Sequence, residues 1–135
     1  MATQNQLDDF AFNVSELSYC KRKKVGAVIV DKSGLNILSY GFNGTTPGDE
    51  NCCEGEDGLT KDNVIHAEEN AILKLAKLSN SSEGGTLYVT VAPCMQCARK
   101  IVSVGIENII YKEIYSNHDH IDYFFENVRR YYGQF

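Results

Sequence analysis

The chain has 135 residues, 43% of them hydrophobic and 23% charged, with 13 Lys plus Arg against 18 Asp plus Glu. That length supports one domain with one sizeable core, and a chain this rich in apolar and aromatic residues is not intrinsically disordered. A formal net charge of −5 disfavours a nucleic-acid polymer as partner, since phosphate backbones demand a basic surface. A small anion gripped by two or three local cations fits that balance better.

The N-terminal stretch Met1–Asp9 has neither a basic nor an apolar leader-like run. No apolar stretch approaches the roughly 20 residues that span a bilayer, so no membrane is expected. The expectation is a soluble, cytoplasmic chain. Five cysteines are an odd number, and a disulfide framework is not expected in a reducing compartment.

In chain order, Leu7, Phe10, Ala11, Val14 and Leu17 recur at helical spacing and predict a helix from Leu7 to about Tyr19. The basic run Cys20-Lys21-Arg22-Lys23-Lys24 leads into a β-branched strand, Val25–Val30. Asp31-Lys32-Ser33-Gly34 is a turn short enough to make Leu35–Tyr40 the second arm of an antiparallel hairpin. Residues 41–63 read as an irregular, Gly-rich, acidic loop, and loops this long are usually functional.

A helix follows from about His66 to Leu78, with Ala67, Ala71, Ile72, Leu75, Ala76 and Leu78 as its apolar side. After a Ser/Gly linker comes a strand over Thr86–Val91. A helix then runs from near Cys94 to a C′ residue at Gly105. A short strand, Asn108–Tyr111, precedes a last helix suggested by Ile121, Phe124, Phe125 and Val128. Strands that alternate with helices after a hairpin imply right-handed crossovers and parallel strands. The predicted fold is a three-layer α/β/α sandwich on a mixed sheet, spanning residues 1–135 as a single domain.

Two segments carry chemistry: His66-Ala67-Glu68 and Pro93-Cys94-Met95-Gln96-Cys97, each opening a helix after extended chain. Taken singly, a buried His is more often a core or capping residue, and a C-x-x-C pair at a helix start can be a redox couple. Together they match the H-x-E…P-C-x-x-C signature of zinc nucleobase deaminases. Cys94 and Cys97 are three apart on one helix face, where the positive helix end favours thiolates. With His66 they make three protein ligands and leave one open position, the pattern of a catalytic zinc. Glu68 is the expected acid/base. Attack of a zinc-activated water on C4 of cytosine requires protons to move to ring N3 and then to the departing amino group.

The chain resembles the deoxycytidylate (dCMP) deaminases, especially short phage-type members of the zinc-dependent cytidine and deoxycytidylate deaminase superfamily. The resemblance runs from about Leu7 to Tyr115 and includes Gly41-Phe42-Asn43-Gly44 and Tyr88–Cys97. It implies a cytidine-deaminase-like fold and hydrolytic deamination of dCMP to dUMP and ammonia. It further implies that Asn43 binds the sugar hydroxyl and that the backbone at Ala67, Val91 and Ala92 reads the base edge. Tyr115 would stack on the pyrimidine, and Arg22 with Lys23 or Lys24 would meet the 5′-phosphate. Activation by dCTP with Mg2+, inhibition by dTTP and a homo-oligomer, commonly a hexamer, belong to the same implication. The effector loop would include Gly44, Asp49 and Glu50.

Some phage relatives hold a second, structural zinc through cysteines matching Cys20 and Cys52 plus a His pair from an insertion. This chain lacks the insertion, which argues against such a site at Cys20, Cys52 and Cys53. The chain also ends soon after its last predicted helix, which leaves open whether the sheet has a fifth strand. Alternative functions are deamination of another cytosine nucleotide or nucleoside, such as dCTP or cytidine, and a catalytically silent nucleotide-binding zinc domain.

Overall fold

Strand β1 (Gly26–Val30) is buried along its whole length, as its run without a polar side chain requires of a central strand. In the computed structural model, which describes residues 4–113 and the backbone of 131–134, the sheet order is β2-β1-β5-β6-β7. Here β2 is Ile37–Phe42, β5 Thr86–Val91, β6 Asn108–Glu113 and β7 Tyr131–Gln134. β1 pairs antiparallel with both β2 and β5, whereas β6 pairs parallel with both β5 and β7. The expected mixed sheet is thus observed, and the fifth strand left open by the sequence is present as β7. The predicted last helix lies outside the described residues.

Strand parity divides the core. Ala27 and Ile29 of β1, Leu87 and Val89 of β5, and Ile109 and Tyr111 of β6 face α2 (Ala67–Leu78) and α3 (Met95–Ser103). The alternate residues Val28, Val30, Tyr88 and Ile110 face α1 (Gln4–Ser15) through Leu7, Ala11 and Val14. Successive strand side chains point to opposite faces, so this alternation yields the three layers directly.

Two glycines let the layers close. A Cβ on Gly41 would lie 2.5 Å from the Ala67 carbonyl oxygen and 2.6 Å from the Ala71 nitrogen, so α2 rests on bare β2 backbone. Gly26 does the same for α1, where a Cβ would meet the Ala11 carbonyl oxygen at 2.2 Å. Ser39 Oγ donates to the Ala71 carbonyl at 2.7 Å and Asn70 Nδ2 to the Phe42 carbonyl at 2.7 Å, which locks α2 in place.

Several boundaries shift from expectation. α1 stops at Ser15 because the chain tightens into turns with Leu17 N–H on the Val14 carbonyl and Ser18 N–H on the Ser15 carbonyl. Leu17, expected in the core, is therefore 57% exposed, and Ala76 and Leu78 at the far end of α2 are exposed as well. β2 starts at Ile37 rather than Leu35, because Asp31 organises the turn. Its carboxylate accepts from Ser33 Oγ, from the Leu35 and Asn36 backbone and from Asn36 Nδ2. β3 (Gly44–Thr45), inside the predicted loop, pairs with β4 (Val64–Ile65) just beyond its end.

Candidate active site

The carboxyl end of a parallel strand followed by a helix start is the recurrent site position in α/β sheets. Here β5 ends at Val91, and Ala92-Pro93 carries the chain into Cys94, the N-cap of α3. His66 is the N-cap of α2. Both residues adopt extended backbone and neither uses its side chain to cap its helix. Their side chains meet instead: His66 Nδ1 lies 3.2 Å from Cys97 Sγ and 3.6 Å from Cys94 Sγ.

That spacing suits one cation. A tetrahedral zinc with N and S ligands at about 2.0 and 2.3 Å holds them roughly 3.5 Å apart. The three ligand atoms lie within 4.8 Å of one another, a donor set that fits zinc. The cluster's electrostatics point the same way. The Cys94 thiol is lowered to about 3, first by a hydrogen bond from Cys97 and then by one from His66. Cys97 is pushed up by that same bond and by burial, while His66 is raised by its bond to Cys94. Two thiols here share protons that a cation would displace.

Glu68, in the first turn of α2, is 4% exposed. Burial raises its carboxyl to about 7, although its own backbone N–H and the neighbouring His66 work against that shift. A carboxyl poised near neutrality serves as either proton donor or acceptor. Glu69, one residue on, faces away into an ion pair with Lys100.

A cleft of about 250 Å³ joins these groups. Its walls carry His66, Ala67, Glu68, Cys94, Val91 and Ala92 at one set of elements, and Cys20, Arg22, Lys23, Val25, Asn43, Glu54, Thr60 and Val64 at another. Most of the expected substrate residues therefore lie on one cleft: Asn43, Ala67, Val91, Ala92 and Arg22. Lys24 is exposed and off the walls, with Lys23 lining the cleft in its place. Lys23 pairs with Glu113. Tyr115 lies outside the described residues. Gly44 is buried in β3, and Asp49 and Glu50 are exposed on the loop beyond it.

Asn43 is held at both ends of its amide. Its Oδ1 accepts from Val25 N–H at 2.9 Å and its Nδ2 donates to the Lys23 carbonyl at 2.8 Å. One further Nδ2 hydrogen and one Oδ1 lone pair remain for a ligand. The same bonds orient the basic segment.

Two wall features escape the sequence pattern. Glu54 Oε2 accepts from the backbone N–H groups of Lys21 and Arg22, each at 3.1 Å. Cys20 and Cys53 form a disulfide across 33 residues, contrary to the expectation of reduced cysteines. Of the three cysteines considered for a second metal, two are thus bonded to each other, and Cys52 remains a free thiol that donates to the Glu54 carbonyl. An odd cysteine count says nothing about which two meet in space.

A family profile, the cytidine and deoxycytidylate deaminase zinc-binding region, matches residues 1–113. The chain belongs to the cytidine and deoxycytidylate deaminase family. It is 36% identical over 146 residues to the deoxycytidylate deaminase of Enterobacteria phage T4, covering 78% of this chain and 75% of that protein. It is 38% identical over 117 residues to ComE operon protein 2 of Bacillus subtilis, covering 82% of this chain but spanning only 59% of that protein's length. Among solved structures, dCMP deaminase from cyanophage S-TIM5 in complex with dCMP and dUMP superposes with a TM-score of 0.89 at 39% identity. The match covers 95% of this family member and 93% of that chain. Among the described residues no helix is long and apolar enough to cross a membrane.

Proposed function

We propose that this chain deaminates dCMP hydrolytically to dUMP and ammonia. The observation that carries the reading is one cleft bounded by a zinc-type donor set, a buried carboxyl raised to about 7, and Arg22, Lys23 and Asn43. The resemblance in sequence and shape to a dCMP deaminase solved with dCMP and dUMP supports it.

His66 through Nδ1 and the sulfurs of Cys94 and Cys97 would hold the metal. When bound, zinc supplies a Lewis acid that makes a water acidic enough to deprotonate near neutral pH. Glu68 takes the proton from the attacking water and delivers it to ring N3. It then carries the second proton to the amino nitrogen leaving C4. Water supplies the new oxygen, and both of its protons are accounted for in the keto product and ammonia. Burial keeps the Glu68 carboxyl from preferring either state strongly, as the double duty demands. The backbone at Ala67, Val91 and Ala92 reads the base edge, Asn43 the sugar hydroxyl, and Arg22 with Lys23 the phosphate. Tyr115 is the residue to which the family resemblance gives stacking on the pyrimidine.

Regulation by dCTP with Mg2+ and by dTTP around Gly44, Asp49 and Glu50 belongs to the same proposal, as do a homo-oligomer and a cytoplasmic location. Exposed Leu35, Ile37, Leu73 and Leu78 are apolar surface available to an oligomer. Turnover measured on dCMP, dCTP, deoxycytidine and cytidine, with and without effectors, tests the whole reading. A marked preference for dCMP is expected. Equal turnover of deoxycytidine would refute the phosphate grip, and no turnover of any substrate would favour a silent binding domain.

A further inference from the structure

The cleft wall that carries Glu54 and Thr60 is a small self-contained flap. Lys61 N–H donates to the Cys53 carbonyl at 2.7 Å, Gly55 N–H to the Leu59 carbonyl at 2.9 Å, and Glu54 bridges to Thr60. Two connections tie this flap to the basic segment. One is the pair of hydrogen bonds from Lys21 and Arg22 N–H to Glu54; the other is the Cys20–Cys53 disulfide.

The Cys20 side is the fixed one. Cys20 N–H donates to Ser18 Oγ, Ser18 Oγ donates to the Asn43 carbonyl, and Asn43 fastens Lys23 and Val25. Cys20 and Cys53 are 2% and 1% exposed, yet Cys20 lines the cleft. Solvent therefore reaches the disulfide through the cleft, and a bound ligand stands in that path.

We propose that Cys20–Cys53 is a redox latch, a thiol–disulfide exchange site at which a dithiol reductant lowers the affinity of the cleft for its nucleotide. This rests on the reading of the cleft as the nucleotide site. One thiolate of the reductant attacks Cys20 Sγ, the sulfur on the cleft side, and Cys53 leaves as a thiolate that takes up a proton. The reductant's second thiolate then attacks the mixed disulfide and releases Cys20. Two electrons and two protons pass to the protein, and the dithiol becomes a cyclic disulfide.

Two separate thiols need more room than a bonded pair, because non-bonded heavy atoms settle roughly 3.5–4.0 Å apart. In a site this buried one partner must give way, and the flap is the part not fastened to the sheet. Glu54 and Thr60 move with it, and the hold on the Lys21–Arg22 backbone loosens. Linkage makes the effect reciprocal: if reduction weakens nucleotide binding, bound nucleotide resists reduction by the same factor.

The test uses zinc-loaded protein, oxidised or treated with dithiothreitol, with zinc content measured throughout. Alkylation after denaturation and zinc removal, read by intact mass, should show the three cysteines outside the disulfide in the oxidised form become five. Reduction should raise KM for dCMP by a factor of roughly 5 or more, with kcat little changed. Saturating dUMP should shift the redox midpoint towards the disulfide, by about 30 mV if the factor is tenfold. Cys53→Ser should hold the raised KM and lose the redox response. Should that variant not fold, the wild-type titration decides alone. Turnover with the same KM in both redox states overturns the latch and spares the proposed function. Absence of both turnover and dCMP binding in either state overturns the reading of the cleft and the latch with it.

Discussion

His66 Nδ1 lies 3.2 Å from Cys97 Sγ, although 31 positions separate the two residues and each belongs to the start of a different helix. Neither helix brings its donor to the other by local pattern. The β5 strand does, because it delivers Pro93-Cys94 beside the N-terminus of α2.

That contact predicts metal dependence at Cys97. Cys97→Ser keeps the shape but replaces a soft thiolate with a hydroxyl that stays protonated. Zinc content by atomic emission should fall well below that of the wild type, and activity should fall with it. Full zinc retention in the variant would remove Cys97 from the ligand set.

Glu68→Gln keeps the size of the side chain and removes its titration. Turnover of dCMP should fall by roughly 10² to 10⁴, the usual worth of a positioned acid/base. Zinc content should be unchanged, which separates this variant from Cys97→Ser. A variant that still turns over at wild-type rate excludes the proton-transfer role.

Gly41→Ala tests how the site is seated. The new methyl would stand 2.5 Å from the Ala67 carbonyl oxygen, on rigid helix backbone. Overpacking of this kind costs about 1–3 kcal/mol. The urea midpoint should drop, and because the displaced turn carries Glu68, kcat should drop too. A stable variant with full activity would mean that α2 and β2 have slack between them.

Asp8 on α1 is 8% exposed, and its Oδ1 has no hydrogen-bond partner among the described residues. Burial first, and Asp9 second, push its carboxyl up to about 6, with Lys112 pulling it back. The folded state therefore holds the proton more tightly than the unfolded chain, whose Asp titrates near 3.9. Stability contributed by the neutral form is present at low pH and is lost as pH rises from about 4 through about 6. Asp8→Asn should raise the unfolding free energy from urea titration at about pH 7.5 by on the order of 2 kcal/mol and change it little at about pH 4. An equal gain at both pH values would assign the effect to packing.

Where a short-range signal existed, the sequence was readable. β5 over Thr86–Val91 follows from its β-branched run, and the two ligand segments follow from H-x-E and C-x-x-C, each compressed into a few residues. Features that depend on chain tracing were not. Nothing local to Cys20 or Cys53 reveals that they meet, and Glu54 looks like any loop carboxylate until Lys21 and Arg22 present their N–H groups to it. β3 and β4, two residues each, are too short for any periodicity to register. Lys23 and Lys24 are indistinguishable in a basic run; Asn43 chooses between them by binding the Lys23 carbonyl.

The two helix starts give up something for the site. An N-cap side chain ordinarily accepts from a first-turn N–H and contributes about 1 kcal/mol. His66 and Cys94 hold that position and make no such bond. A cation joining imidazole to thiolate would return that stabilisation, because an ion that binds the folded chain alone stabilises it by mass action. A chelator should then lower the melting temperature of zinc-loaded protein, and added zinc should restore it.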